Sequence, residues 1–264
     1  MKQFASEYPT NEDGLILFPR DDLYRKELFP LLKLSEHPAK ANIYLVQAIV
    51  EYVSEPEQTV MDIMAGTGTI MTAALIGRRV VCLDIEEEYV KILEQGAKSL
   101  ERIAPGIGSM ITIIEGDCLR LLPLPITDHI IFSPPYSNIL KKKQLDKLSA
   151  EMVGEGLLKY SSNPDNVGNL NEFLYHQKME RIYKKAFDSL PAGGTLSIII
   201  KDHIEKGERA GLPERCTRDC LRLGFELIQT YYWLPPGSAY TSFMRARGDL
   251  VVDEEAIIIL RRPK

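Results

Sequence analysis

No apolar run in this 264-residue chain is long enough to span a bilayer, and its first residues (Met1-Lys2-Gln3-Phe4-Ala5) form no apolar signal core. A cytoplasmic protein with no membrane partner is expected. Cysteine is scarce, at Cys82, Cys118, Cys216 and Cys220. Cys216 and Cys220 share a helix face, but no second Cys or His pair stands nearby to complete a zinc site. The thiols read as structural, and no metal is expected. An excess of positive charge is missing too. The formal net charge is -5, which argues against a protein that coats nucleic acid non-specifically. A local basic groove is still compatible with it, because binding follows the local field.

What is present is the composition of an ordinary globular chain, 45% hydrophobic and 26% charged. The length suits one large α/β domain. Residues 1–35 are broken by Pro9, Pro19 and Pro30 and read as an N-terminal arm with a short helix near Asp21–Leu28. The region 36–264 reads as the main domain. A helix opens near Pro38 and carries Ile43, Val46, Ile49, Val50 and Val53 at helical spacing. Strands are expected at Thr59–Ile63, Arg79–Asp84, Met110–Glu115, His129–Ser133, Thr195–Lys201, Phe225–Trp233 and Glu254–Arg261. Helices are expected to open at Thr69 and to cover Glu86–Ile103, Leu170–Leu190 and Pro213–Leu223. An irregular or helical insert fills 137–170, and the last two strands are joined by a loop, Leu234–Asp253. Such alternation predicts a mainly parallel sheet covered on both faces, with the last two strands antiparallel neighbours.

Two segments carry the chemistry. Asp62-Ile63-Met64-Ala65-Gly66-Thr67-Gly68-Thr69 ends a strand in a glycine turn that opens a helix. Such a turn presents backbone N–H groups and lets a ligand approach closely. It lacks the Gly-Lys-Ser/Thr of a phosphate-gripping loop and the Gly-x-Gly-x-x-Gly of dinucleotide binding, so adenosine without a pyrophosphate fits better. The next strand ends in Asp84-Ile85, where a carboxylate can accept ribose hydroxyls. The one after ends in Glu115-Gly116-Asp117-Cys118, where an acid can accept from an adenine amino group. Asp84 could instead cap the next helix, a role compatible with ribose binding, and Asp117 taken alone could as readily be a turn residue. Three successive strands ending in an acid or a glycine turn on one sheet edge point to a ligand, since open α/β sheets bind ligands beyond the carboxyl ends of their strands.

The second segment, Ser133-Pro134-Pro135-Tyr136, ends the strand after those three. Proline removes N–H donors, so this turn offers carbonyl oxygens without competing amides. Hydrogen bonds from an exocyclic amine to the Pro134 carbonyl and a Ser133 oxygen would localise the nitrogen lone pair. Tyr136 would stack on the extruded base, and placing the amine in line with a methyl donor supplies most of the rate. His176 and His203 receive no role in this scheme.

These residues resemble the S-adenosylmethionine-dependent amino-methyltransferases that act on cytosine N4 or adenine N6 in DNA. Asp62–Thr69 is similar to the family's first motif, and Ser133–Tyr136 to its catalytic tetrapeptide. Asp84 and Asp117 stand where its ribose and adenine acids are found. His37-Pro38-Ala39-Lys40 looks like the segment that holds the cofactor's methionine end. The resemblance implies a seven-stranded Rossmann-like α/β sheet with the last strand antiparallel. It implies S-adenosylmethionine held by His37, Lys40, residues 62 and 64–69, Asp84, Ile85, Asp117, Cys118 and Ser133. Departures are Ile63 for the usual proline and Met64 for an aromatic. The serine-headed tetrapeptide leans toward cytosine N4.

DNA is the expected partner. Residues 137–185 hold nine Lys/Arg against six Asp/Glu, and Lys141, Lys142 and Lys143 follow the tetrapeptide closely. With Arg245 and Arg247 they are the candidate phosphate contacts. The target-recognising work falls to the 137–170 insert and the 234–253 loop. An RNA amino-methyltransferase and a non-catalytic cofactor-binding subunit of a modification complex stay as alternatives. A cognate nuclease, as in restriction-modification, would suit the DNA reading, and the sequence leaves the oligomeric state open.

Overall fold

The computed structural model describes residues 2–30, 40–135, 163–237 and 239–264. Its strands are β1 (Thr59–Asp62), β2 (Arg79–Asp84), β3 (Ile111–Glu115), β4 (His129–Phe132), β5 (Thr195–Lys201), a short β6 (Ile204–Glu205) and β7 (Glu208–Arg209) hairpin, β8 (Glu226–Trp233) and β9 (Glu255–Arg261). Seven of them form one sheet in the order β3-β2-β1-β4-β5-β9-β8. The pairs β1–β2, β1–β4, β2–β3 and β4–β5 are parallel. The last strand, β9, is antiparallel to both β5 and β8. This is the α/β sheet the alternating pattern predicts, with the final strand reversed and inserted between its predecessors.

Two apolar clusters sandwich the sheet, and strand alternation assigns residues to them. Val60, Ile131, Ile257 and Ile259 join Leu45, Ile49, Met71 and Leu93 on one face. Met61, Ile130, Ile258 and Leu260 join Met179, Ile182 and Cys220 on the other. A strand buried on both faces needs apolar residues at every position rather than every second one. That explains the runs Ile130-Ile131-Phe132 and Ile198-Ile199-Ile200, apolar and buried at every position.

The helices are α1 (Asp22–Leu28), α2 (Ile43–Val53), α3 (Glu87–Ile103), α4 (Cys118–Leu121), α5 (Glu172–Ser189), α6 (Leu212–Arg222) and α7 (Ala239–Ala246). Three departures from the sequence reading have local causes. The helix placed from Pro38 begins at Ile43, because the Asn42 side chain accepts from Leu45 N at 3.1 Å and caps it there. The helix after the glycine turn, Thr69–Ile76, is a 3-10 helix bounded by left-handed Gly68 and Gly77. Finally, the joining loop 234–253 contains α7. With eight residues and a flanking Pro235-Pro236-Gly237, its apolar period was too short to register.

The N-terminal residues are built into the body. Phe4, Phe18, Leu28 and Phe29 are buried, Phe4 stacks on Tyr231, and Ile16 N donates to Tyr232 O at 3.0 Å along the outer strand. Among the described residues, no helix is long and apolar enough to cross a membrane.

Candidate active site

Strand register brings the predicted segments to one rim. Asp84 at the end of β2 pairs with Glu115 of β3, Asp62 at the end of β1 with Cys82 of β2, and Met61 of β1 with Ile130 of β4. The glycine turn, Asp84-Ile85, Gly116-Asp117 and Ser133-Pro134-Pro135 therefore all leave the sheet at its carboxyl edge. Parallel strands aligned at one end leave their connecting turns as the only backbone free to meet a ligand.

Hydrogen bonds knit these turns together. Ala65 N donates to Leu83 O at 3.0 Å, and Gly116 N donates to Asp84 O at 2.8 Å. The Asp84 carboxylate accepts from Gly66 N at 2.7 Å and from Glu86 N at 3.0 Å. Asp84 therefore shapes the glycine turn. Each of its oxygens keeps a second lone pair for a hydroxyl donor. Asp117 caps α4 by accepting from Leu119 N at 2.8 Å, and the turn role foreseen for it is present.

The two glycines do different work. Gly68, at φ +78, would put a Cβ 2.5 Å from Leu93 Cδ2 and 2.5 Å from Met71 Cε, so it is glycine for packing. Gly66, at φ +52, faces open space: the nearest heavy atom a Cβ would meet is Met64 O at 4.0 Å. The N–H of Gly66 itself is held by the Asp84 carboxylate, so an open side, turn backbone and a carboxylate meet there, as an adenosine ligand requires. The residues present fit a nucleoside cofactor.

Electrostatics concentrate at the same place. Burial pushes the Asp62 carboxyl up to about 8, opposed by the amide of Met64 and reinforced by Asp84. Asp84 is raised as well, chiefly by burial, against the amides of Glu86 and Gly66. Two buried acids side by side favour a ligand that brings positive charge. Burial holds the Cys118 thiol up at about 12, an inert neutral group at this rim. Burial also lowers the Lys40 ammonium, with the Arg25 charge as the next cause.

Just after β4, Ser133 is exposed, Pro134 buried and Pro135 half-buried. Met64 and Ile85 are half-buried beside the turn, and Thr67 and Thr69 are buried. His37, Tyr136, Lys141, Lys142 and Lys143 lie outside the described residues. Arg245 and Arg247 are on and just after α7, which follows the outermost strand, β8. Arg245 pairs with Asp253, and Arg247 Nε lies 3.5 Å from Asp249.

Sequence reasoning passed over two contributors. Arg25 of α1 is buried, donates to Thr69 Oγ1 at 3.1 Å and to Ala41 O at 2.6 Å, and pairs with Asp21 at 2.6 Å. It ties the N-terminal segment and the residues after Lys40 to the glycine turn. The Asp21-x-x-x-Arg25 spacing was its signal. After the insert, Asn166 donates to Glu86 at 2.7 Å, and Arg120 donates to Asp165 at 2.9 Å. The returning chain is thus fastened to the turns after β2 and β3. Nothing local in its asparagine-rich stretch revealed that.

Residues 11–95 match the family model described as DNA methylase, of the N6/N4 methyltransferases, and the resemblance is borne out over that segment. No curated protein matches the chain. The fold is similar to a methyltransferase from Pyrococcus furiosus, with 13% identity, 92% of this chain and 95% of that one covered, and a TM-score of 0.54. It is also similar to a SAM-dependent methyltransferase from Methanosarcina mazei, with 14% identity, 81% and 97% covered, and a TM-score of 0.51. A SAM-dependent O-methyltransferase from Thermotoga maritima shares 11% identity over 90% of this chain and 71% of that one, at a TM-score of 0.51. At these identities the likeness is one of fold.

Proposed function

We propose that this chain is a DNA amino-methyltransferase that moves a methyl group from S-adenosylmethionine to an exocyclic base amine, cytosine N4 before adenine N6. The observation that carries the proposal is the shared rim. The glycine turn with its two acids ends β1 and β2, and Ser133-Pro134-Pro135 ends the adjoining β4. The match of residues 11–95 to the DNA methylase model supports it.

Gly66 and its neighbours, Asp84 and Ile85 would hold the ribose and adenine, with Asp117 near the adenine amine. Lys40 and the segment before it would face the methionine end. When bound, S-adenosylmethionine supplies an electrophilic methyl on a positively charged sulfur. The chain's contribution is to orient the acceptor: Ser133 and the Pro134 carbonyl accept from the amine protons and free its lone pair. Tyr136 stacks on the extruded base. Lys141, Lys142, Lys143, Arg245 and Arg247 would contact phosphates.

The serine head of the tetrapeptide favours cytosine by resemblance. Incubating the chain with labelled S-adenosylmethionine and either duplex DNA or transfer RNA, then identifying the modified nucleoside by mass, tests the proposal. N4-methylcytosine or N6-methyladenine in DNA is the expected result. Label only in RNA, or cofactor binding without transfer, would overturn it.

A further inference from the structure

We infer that residues 163–169 form the outer wall of the slot for the cofactor's adenine, and that Asn166 is a positioning residue whose bond to Glu86 holds that wall in place. The inference deepens the proposed function and rests on it. Two turns on the cofactor half of the rim set the slot. Asp84-Ile85-Glu86 leaves β2 and Gly116-Asp117-Cys118 leaves β3, and Gly116 N donates to Asp84 O at 2.8 Å between them. Ile85 and Asp117 are only half-buried, so neither is sealed inside the fold. A flat base lying over these turns is flanked by one on each side. A third segment is needed to keep it from sliding out.

Residues 163–169 supply it. Asn166 Nδ2 donates at 2.7 Å to Oε1 of Glu86, the residue after Ile85. Arg120 Nη2 donates to Asp165 Oδ2 at 2.9 Å, and Arg120 Nε lies 3.7 Å from Asp117. One short segment is thus tied to both turns at once, across 80 and 45 positions of chain. It is also braced from within. Asn163 Oδ1 accepts from Asp165 N at 3.0 Å, Asn166 Oδ1 accepts from Gly168 N at 2.9 Å, and Asn169 Nδ2 donates to Asn163 O at 2.9 Å. Asn166 and Val167 are buried, and Val167 belongs to the apolar cluster that holds Leu83 and Cys118. A buried amide donating to a carboxylate is among the stronger hydrogen bonds. Returning the chain to α5 requires neither tie; fixing the segment's distance from both turns requires the pair.

Such a wall acts on cofactor binding and leaves the transfer step alone. It hinders departure of the adenine and keeps the nucleoside seated against Asp84. The reacting turn follows β4, two strands along the sheet from β2.

The test is Asn166→Asp in the full chain. Aspartate keeps the acceptor that Gly168 N needs but turns a second carboxylate oxygen toward Glu86, so the tie becomes a repulsion. Affinity by titration should fall about tenfold or more for S-adenosylmethionine. It should fall by the same factor for methylthioadenosine, which carries the nucleoside without the amino-acid end. KM for S-adenosylmethionine should rise in step, while kcat on DNA changes by less than about twofold. Adding Glu86→Gln to Asn166→Asp puts a donor opposite an acceptor again and should recover most of the affinity. Arg120→Ala removes only the exposed tie, leaves the fold intact, and should cost about threefold in the same titrations. Unchanged or tighter binding in Asn166→Asp and Arg120→Ala would overturn the wall and leave the proposed function standing. A loss confined to S-adenosylmethionine and absent for methylthioadenosine, or a double variant that stays weak, would mark a general loosening and overturn it as well. A wild-type chain that binds no S-adenosylmethionine would overturn both.

Discussion

The contrast between Gly66 and Gly68 yields a prediction in which stability and binding separate. Replacing Gly68 with alanine sets a methyl 2.5 Å from both Leu93 Cδ2 and Met71 Cε. Both neighbours are fully buried and have little room to move. The left-handed backbone adds about 1–2 kcal/mol, and overpacking adds roughly 1–3 kcal/mol. At roughly 2 °C per kcal/mol for a chain of this size, the melting temperature should fall by roughly 4–10 °C. Replacing Gly66 adds only the backbone strain, a fall of roughly 2–4 °C. Its methyl, however, would enter the open space assigned to the cofactor, and its N–H is the one held by Asp84. Affinity for S-adenosylmethionine should drop about tenfold or more, equivalent to about 1.4 kcal/mol. Thermal melts with and without cofactor, and isothermal titration of each variant, read both quantities. A Gly66→Ala chain that binds as tightly as wild type would refute the placement of the cofactor over that turn.

Other expectations follow from the same geometry. Tyr136→Ala should reduce turnover far more than cofactor affinity, and equal losses in steady-state and binding assays would contradict the stacking role. Asp84→Ala should weaken cofactor binding, and unchanged affinity by titration would refute the ribose assignment. Arg25→Ala leaves the half-buried Asp21 carboxylate with only the Ile43 N–H as partner and should cost about 3 kcal/mol in denaturant unfolding, with Arg25→Lys intermediate. His129 is buried against Thr195 and Gln58, and burial holds its pKa down at about 4. The unfolded chain takes up this proton at a higher pH than the folded one. The contribution is therefore complete above about pH 6.5 and declines by about 3 kcal/mol as pH falls to about 4. A His129→Gln chain should show a shallower loss of stability over that window, and an unchanged slope would exclude His129 as the cause.

The strands and their acids were legible because each signal is local. An apolar run ending in Asp62, Asp84 or Asp117, and a double proline after another, records a backbone that leaves a buried sheet at one edge. The alternation of elements sufficed to predict a largely parallel sheet. Periodicity failed where the element was short, as at α7, or where left-handed glycines tightened it, as at Thr69–Ile76.

The sequence by itself determined the α/β architecture, the glycine turn with its succession of acids, and the order of the cofactor and reacting segments. All of these reside in contiguous residues. Only the tertiary structure decided which glycine faces open space and which is locked against Leu93. It alone joined Arg25 to Thr69 across 44 positions and Asn166 to Glu86 across 80. The physical reason is separation. Burial, pairing and the neighbour across a strand gap depend on parts of the chain far away in sequence, and no local pattern carries them.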